Sequence, residues 1–335
     1  PIVSKWNPGS PAEIDLEQLI TYKGDYSIFG NTKLKSMVPV LEGYKDFMAM
    51  GYRFNISDDI GFNNIDITVS YTPSHSLMDD EKLHLGLNYR YSHFKLNITY
   101  NKADFYDLFG PTKTSRKGYS AGIRYDKNLI YDTPRTLDMD ISAGYFGGLE
   151  VLPESQNVSA SFNELYTGKV SLKYEHVKNS QGSVDDEKGY KTSIFTKANI
   201  AHGKTYPLVV SNINLGWALP INHSSIWLRS SFGYSPGKRS EPFANFYFGG
   251  FGNNWIDRKE IKRYHEYYAF PGVDLNSIGG TNFGKLITEL NLPPIRYKNI
   301  GIPAFYLRWT RTSLFTSGII TNINSSNEKL LYYNA

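Results

Sequence analysis

Leu83-His84-Leu85-Gly86-Leu87-Asn88-Tyr89-Arg90-Tyr91 decides the fold: every odd position is apolar or aromatic, and every even position is polar or glycine. Successive side chains of a strand point to opposite faces, so a strict period of two sorts these residues onto two sides of a sheet. A helix would mix them. The rule repeats from Asn64 to Tyr71, where Ile65, Ile67, Val69 and Tyr71 oppose Asn64, Asp66, Thr68 and Ser70. It repeats from Leu137 to Tyr145, and again over Tyr119 to Asp126, Val170 to His176, Asn212 to Leu219 and Ile226 to Tyr234. About fourteen such segments of roughly 8–12 residues fill the chain, the length of tilted strands that cross a bilayer. Only Ala12 to Ile20 has a helix-like spacing, ahead of the first strand. Linkers range from the two residues Ser92-His93 to the polar stretches Leu149 to Asn163 and Asn179 to Lys188. Short turns on one rim and long loops on the other fit an outer-membrane barrel.

Composition narrows the class. Aromatics make up 15% of the 335 residues while charged residues make up only 20%, and the mean hydropathy is −0.41. The chain is too polar for a helical membrane protein and too aromatic for a disordered one. There is no run of about 18 apolar residues, so a membrane span must be built from strands. With no Cys, a disulfide-stapled fold and a thiolate metal or redox site are excluded. A net charge of +4 demands no nucleic-acid partner. The opening Pro1-Ile2-Val3-Ser4 carries neither an initiator Met nor a signal segment, which predicts a processed product or a piece of a longer polypeptide.

Two sheet architectures alternate in this way. Mid-strand charges at Asp66, Arg90, Arg124, Asp138, Asp140, Lys173 and Glu175 suit a hydrated lumen, and equally the solvent face of a soluble β-sandwich. Aromatic placement separates them. Strands begin or end on Tyr71, Tyr89, Tyr91, Tyr100, Tyr125, Tyr145, Tyr174, Trp217, Trp227 and Tyr234, as in the girdles at the two membrane interfaces. The reading is therefore all-β, a transmembrane antiparallel β-barrel, with the soluble sandwich as the alternative.

Catalytic patterns are weak. Gly118-Tyr119-Ser120-Ala121-Gly122 matches G-x-S-x-G, but Ser120 lies inside an alternating strand instead of on a strand-to-helix turn. The seven histidines show no helical i,i+4 pair, and no zinc site is expected. The acidic runs Asp79-Asp80-Glu81 and Asp185-Asp186-Glu187 lack the spacing of a calcium loop and read as solvated loop charge, with loose cation bridging to lipopolysaccharide as the minor alternative. No enzyme activity, cofactor or metal is expected.

The segment after Tyr234 breaks the hairpin rhythm. Phe246-Tyr247-Phe248-Gly249-Gly250-Phe251-Gly252 ends a strand, and about 30 residues without alternation follow. Then come Ile278-Gly279-Gly280, a strand carrying Glu289 and ending at Pro293-Pro294, and Ala304 to Trp309 after a turn. This order resembles the surface-antigen barrels of the outer-membrane assembly and two-partner-secretion superfamily. The likeness is strongest over those residues. It implies about sixteen strands in the full polypeptide, about fourteen of them here, with residues 1–33 a linker or periplasmic lead-in and 34–335 the barrel. Leu330-Leu331-Tyr332-Tyr333 would begin a further strand, and the chain is expected to continue beyond it. The superfamily's lumenal loop carries a Val-Arg-Gly-Phe type tip whose Arg pairs with acids of the wall. Here Ala269-Phe270-Pro271-Gly272 stands in that place, a variant similar to a subgroup with a propeller-like domain before the barrel.

Residues 251–278 are thus expected to form one loop tucked into the lumen, packed through Trp255, Tyr264, Tyr267, Tyr268 and Phe270, with Pro271-Gly272 turning its tip. Glu289, in phase with Lys285 and Asn291 on the polar side of its strand, is the candidate wall anchor for Arg258 or Arg263. A solvated charge run over Arg258, Lys259, Lys262 and Arg263 is the competing reading. The resemblance implies protein insertion or secretion across a bacterial outer membrane. A structural subunit of a larger complex and a passive porin-like channel are the alternatives. The partners implied are outer-membrane lipid and lipopolysaccharide and other outer-membrane or periplasmic proteins, with no nucleic acid.

Overall fold

A computed structural model describes residues 24–102, 116–150, 162–251, 263–302, 305–325 and 328–334. Eleven consecutive strands open the fold: β1 Lys33–Tyr44, β2 Phe47–Ser57, β3 Asn63–Tyr71, β4 Leu83–Tyr91, β5 Phe94–Tyr100, β6 Tyr119–Asp132, β7 Arg135–Gly147, β8 Leu165–Lys178, β9 Lys188–Ala201, β10 Lys204–Ala218 and β11 Ser225–Tyr234. Then follow β12 Phe246–Phe248, β13 Ile278–Gly280, β14 Asn282–Asn291, β15 Ile295–Ile302, β16 Phe305–Thr310, β17 Ser313–Thr321 and β18 Leu330–Asn334. The alternating segments become one 14-stranded antiparallel sheet in the order β1 to β11, β14, β17, β18. Each strand pairs with the next, as short connections favour. Ala12 to Ile20 lies outside the described residues, and among those described no helix is long and apolar enough to cross a membrane.

Alternate connections lie at opposite rims. One rim carries loops 72–82, 101–118, 148–164, 235–281 and 322–329, with tight turns at 45–46 and 202–203. The other carries the shorter connections 58–62, 92–93, 133–134, 179–187 and 219–224. At 202–203 both turn residues have positive φ, 52° for His202 and 72° for Gly203, the geometry that matches the right-handed strand twist. A long β-ribbon is the exception on the short rim. Leu292 N–H donates to the Thr312 carbonyl, so the β14–β17 ladder runs on past Pro293-Pro294 into β15 paired with β16.

The faces have inverted polarity. Leu85, Ile98, Ile123, Ile141, Val170, Ile194 and Ile213 are exposed on one face. On the opposite face Thr68, Ser70, His84, Thr99, Ser120, Asn199 and Ser231 are buried. Ser120, the serine of the G-x-S-x-G match, sits in β6 with its hydroxyl 2.7 Å from that of Thr99. The exposed face has aromatics near both ends: Tyr71, Tyr119, Tyr166 and Tyr234 toward the long-loop rim, and Phe94, Tyr190 and Trp217 toward the other. Tyr145 bridges Tyr119 and Tyr166 with ring centroids 6.0 and 4.7 Å away.

Three expectations change. Trp227 is not part of an exposed girdle: it is buried on the polar face, where its register partner Gly216 leaves room for the indole. A Cβ on Gly216 would lie 2.4 Å from the ring. Phe246–Phe248 is not a wall strand, because it pairs with Ile278–Gly280 as a small ribbon at the base of the loop. The excursion from the sheet therefore runs over 235–281, wider than 251–278. Finally, residues 305–310 join the β15–β16 ribbon, and the wall strand after β14 is β17.

The Gly216 contact gives a test. Gly216→Val should cost about 1–3 kcal/mol through overpacking against Trp227. Gly168→Ala, with no heavy atom within 4 Å of the new Cβ, should be close to neutral. Urea midpoints of the two variants decide it, and equal midpoints would contradict this register.

Candidate functional site

The polar face of β9, β10, β11, β14, β17 and β18 cradles part of the 235–281 excursion. Gly249 begins the chain reversal with φ +140°, and a Cβ there would stand 1.9 Å from the Asp274 carbonyl. Gly250 then pairs with Phe270 in an isolated antiparallel bridge. This folds the loop tip back onto its own base and drives Phe270 into a buried cluster with Phe246, Phe248, Ile278, Val210, Phe283 and Ile319. Val210, Phe283 and Ile319 are contributed by the wall strands. The sheet supplies an apolar island on an otherwise polar face, and the loop covers it.

The flanks of the island are polar. Glu289 is fully buried, its Oε2 accepts from Arg229 Nε at 3.1 Å, and His265 Nε2 lies 2.5 Å from the same Oε2. Arg229 also lies over the Trp227 ring, 4.8 Å from its centroid. Lys285 is buried too, and its ammonium donates to the loop carbonyls of Glu266 at 2.7 Å, Tyr267 at 3.4 Å and Ala269. Isolated charges at such depth would cost several kcal/mol, so these contacts are what allow both residues to sit there. On the far side Tyr264 stacks on Phe315 of β17, ring centroids 4.1 Å apart and planes within 9°. Tyr267 touches Phe195 of β9 at 5.7 Å, and Asn334 of β18 donates to the Pro271 carbonyl. One short piece of loop thus makes contacts from β9 to β18.

Burial sets the chemistry of the loop phenols. It raises Tyr267 to about 12, and it raises Tyr264 well above the ordinary phenol value with help from the Glu289 carboxylate. Both stay protonated and act as packing groups.

Of the residues singled out in the sequence, the structure brings together Phe270, Pro271, Gly272, Lys285 and Glu289. Gly272 occupies the left-handed region at φ +85°, as a Pro-Gly turn requires. Trp255 and Arg258 lie outside the described residues, and Arg263 opens the short 3-10 turn Arg263–His265. His265 is one loop partner of Glu289. Sequence reading missed both His265 and Arg229, although Arg229 had a signal: it shares the face of Trp227 and lies diagonal to Glu289 in the β11–β14 register.

No protein-family model matches the chain, and no curated protein matches it. What the fold and site define is an all-β protein whose 14-stranded antiparallel sheet exposes its apolar face and holds a folded loop on its polar one.

Removing Glu289 leaves Arg229 buried without its carboxylate. Glu289→Ala should cost about 3–5 kcal/mol, the range for breaking one side of a buried ion pair. Lys285→Met should release the loop backbone with a smaller global loss. Limited proteolysis should show new cleavage between residues 263 and 272 in both variants. Unchanged protection would refute the anchoring role.

Proposed function

We propose that the sheet is the wall of an outer-membrane β-barrel of the assembly and translocation superfamily, acting in protein insertion or secretion, with the 235–281 excursion as its lumenal loop. The observation that carries the reading is the inverted polarity. In water, a face bearing Ile123, Ile141, Val170, Ile194 and Trp217 in one continuous exposed band is a liability, whereas in lipid it is the required surface. Six residues separate Tyr119 from Tyr125 in β6 and eight separate Tyr166 from Tyr174 in β8, roughly 20–26 Å along the strand. That is the scale of the apolar band of outer-membrane barrels, about 25 Å. A closed wall needs the outer edges of β1 and β18 joined, directly or through further strands.

The docked loop supports assembly or gated passage over free diffusion, since a barrel with its lumen part-filled passes solutes poorly. A porin-like reading has one observation in its favour. The polar face of β2 to β7 lines a cavity of 560 Å³. The bare ribbon β15–β16, with Ile302, Phe305 and Tyr306 exposed, favours a role as a subunit of a larger complex.

Two measurements test the proposal. Ile141→Arg, on the exposed apolar face, should cost about 2–4 kcal/mol at mid-bilayer, and Ser142→Arg on the opposite face much less. Equal folded yields in lipid vesicles would point to a soluble sheet. For the activity itself, vesicles containing the protein should insert an unfolded outer-membrane protein several-fold faster than empty vesicles. Equal rates, together with large steady conductance in planar bilayers, would move the reading to a passive pore.

A further inference from the structure

The strand register assembles a feature that no single segment displays. On the polar face Arg90 stands opposite Lys95, Lys95 opposite Arg124, Arg124 opposite Ser142, Ser142 opposite Lys169, and Lys169 opposite Lys197. Five cations therefore lie in one row across β4 to β9. With strands about 4.8 Å apart, the row is roughly 24 Å long and carries about one positive charge per strand. Like charges directly opposite each other on a sheet are destabilising, so such a row needs anions. The fold supplies two: Asp126 sits 2.7 Å from Lys95, and Asp140 accepts from Arg124. Arg90, Lys169 and Lys197 have no carboxylate partner among the described residues. The ammonium of Lys169 instead faces the Phe195 ring at 4.9 Å.

The row borders open space. Arg90, Lys95 and Arg124 line the 560 Å³ cavity together with the amides of Asn88 and Asn97 and a single carboxylate, Asp66. We propose that this concave face binds a phosphate-bearing ligand, its anionic groups seated along Arg90, Lys95, Arg124 and Lys169 and its neutral polar groups on Asn88 and Asn97.

Phosphate fits the row better than carboxylate for two reasons. A phosphate group brings up to two negative charges and three acceptor oxygens, so one group can satisfy two cations on adjacent strands. A guanidinium also meets phosphate oxygens in pairs, a geometry open at Arg90 and, through the nitrogens Arg124 does not give to Asp140, at Arg124. A chain of carboxylates, one charge at a time, would leave the row undercompensated. The site goes beyond the barrel reading and needs only the concave polar face.

The test uses the full chain in zwitterionic detergent micelles at low ionic strength, titrated with inorganic tripolyphosphate in a calorimeter. Saturable binding is expected, weakened at least tenfold in the double variant Arg90→Gln, Lys169→Gln and retained within about threefold in Arg90→Lys. Near-UV circular dichroism establishes that each variant keeps its tertiary packing; should the double variant unfold, the comparison of wild type with Arg90→Lys and Arg90→Gln decides. Affinity should fall steeply with added salt. Mixed micelles containing phosphatidic acid form a second arm: competition with tripolyphosphate there assigns the phosphate to a lipid headgroup, and its absence to a soluble ligand. Binding of poly-glutamate as tight as tripolyphosphate would overturn the phosphate assignment. No binding by folded wild type, or binding that the glutamine substitutions leave unchanged, would overturn the site. Chain that folds without detergent and still binds tripolyphosphate would reject the membrane reading and keep this one.

Discussion

Register is the constraint on which the rest of this structure depends. Because strand side chains alternate with a period of two, each antiparallel pairing fixes which residues share a face, and a slip of one residue would move a whole strand's apolar set to the other side. Thirteen successive pairings link β1 to β18, with register shifts only at Leu34/Ser36 in β1 and Asn128/Ile130 in β6. Ile67 meets Leu87, Leu87 meets Ile98, Ile98 meets Ala121, and so on around the sheet. The apolar band, the aromatics at its two ends and the row of cations behind it are three readings of that one alignment.

The polar face is divided in use. Around β9 to β18 it carries Val210, Phe283 and Ile319, which would be misplaced on a hydrated surface, and the loop caps them with Phe246, Phe248 and Phe270. Around β2 to β7 the same face lines a cavity bordered by Arg90, Lys95 and Arg124. One ion pair and several hydrogen bonds at the margins of the island give the buried groups partners: Glu289 answers Arg229 and His265, and Lys285 answers three carbonyls.

Much of this was legible in the chain because it is local. Alternation located the strands, the aromatics Tyr264, Tyr267 and Phe270 stand out in a stretch without alternation, and the phase of Lys285, Glu289 and Asn291 put their side chains on one face. What escaped is non-local. Trp227 sits at a strand end like the girdle aromatics, and only its pairing with Gly216 shows that it faces the other way. Pro293-Pro294 reads as the end of a strand, yet the ladder resumes beyond it as a ribbon because the partner strand continues too. Arg90, Lys95, Arg124, Lys169 and Lys197 are spread over 108 positions, and each looks like an ordinary polar-face charge until six strands are laid side by side.

The way Lys285 holds the loop has a consequence for how such a chain can change over generations. Its ammonium reads carbonyl oxygens, and every residue type offers one. At this one contact the wall grips a backbone path, beside the side-chain contacts of Tyr264, His265, Tyr267 and Phe270. The carbonyl acceptors of residues 266, 267 and 269 persist whatever side chains stand there, so this hold on the chain path is separable from the loop's side-chain chemistry. The lysine itself has no such freedom, because no other side chain concentrates three donors on one small charge at the end of so long a stem.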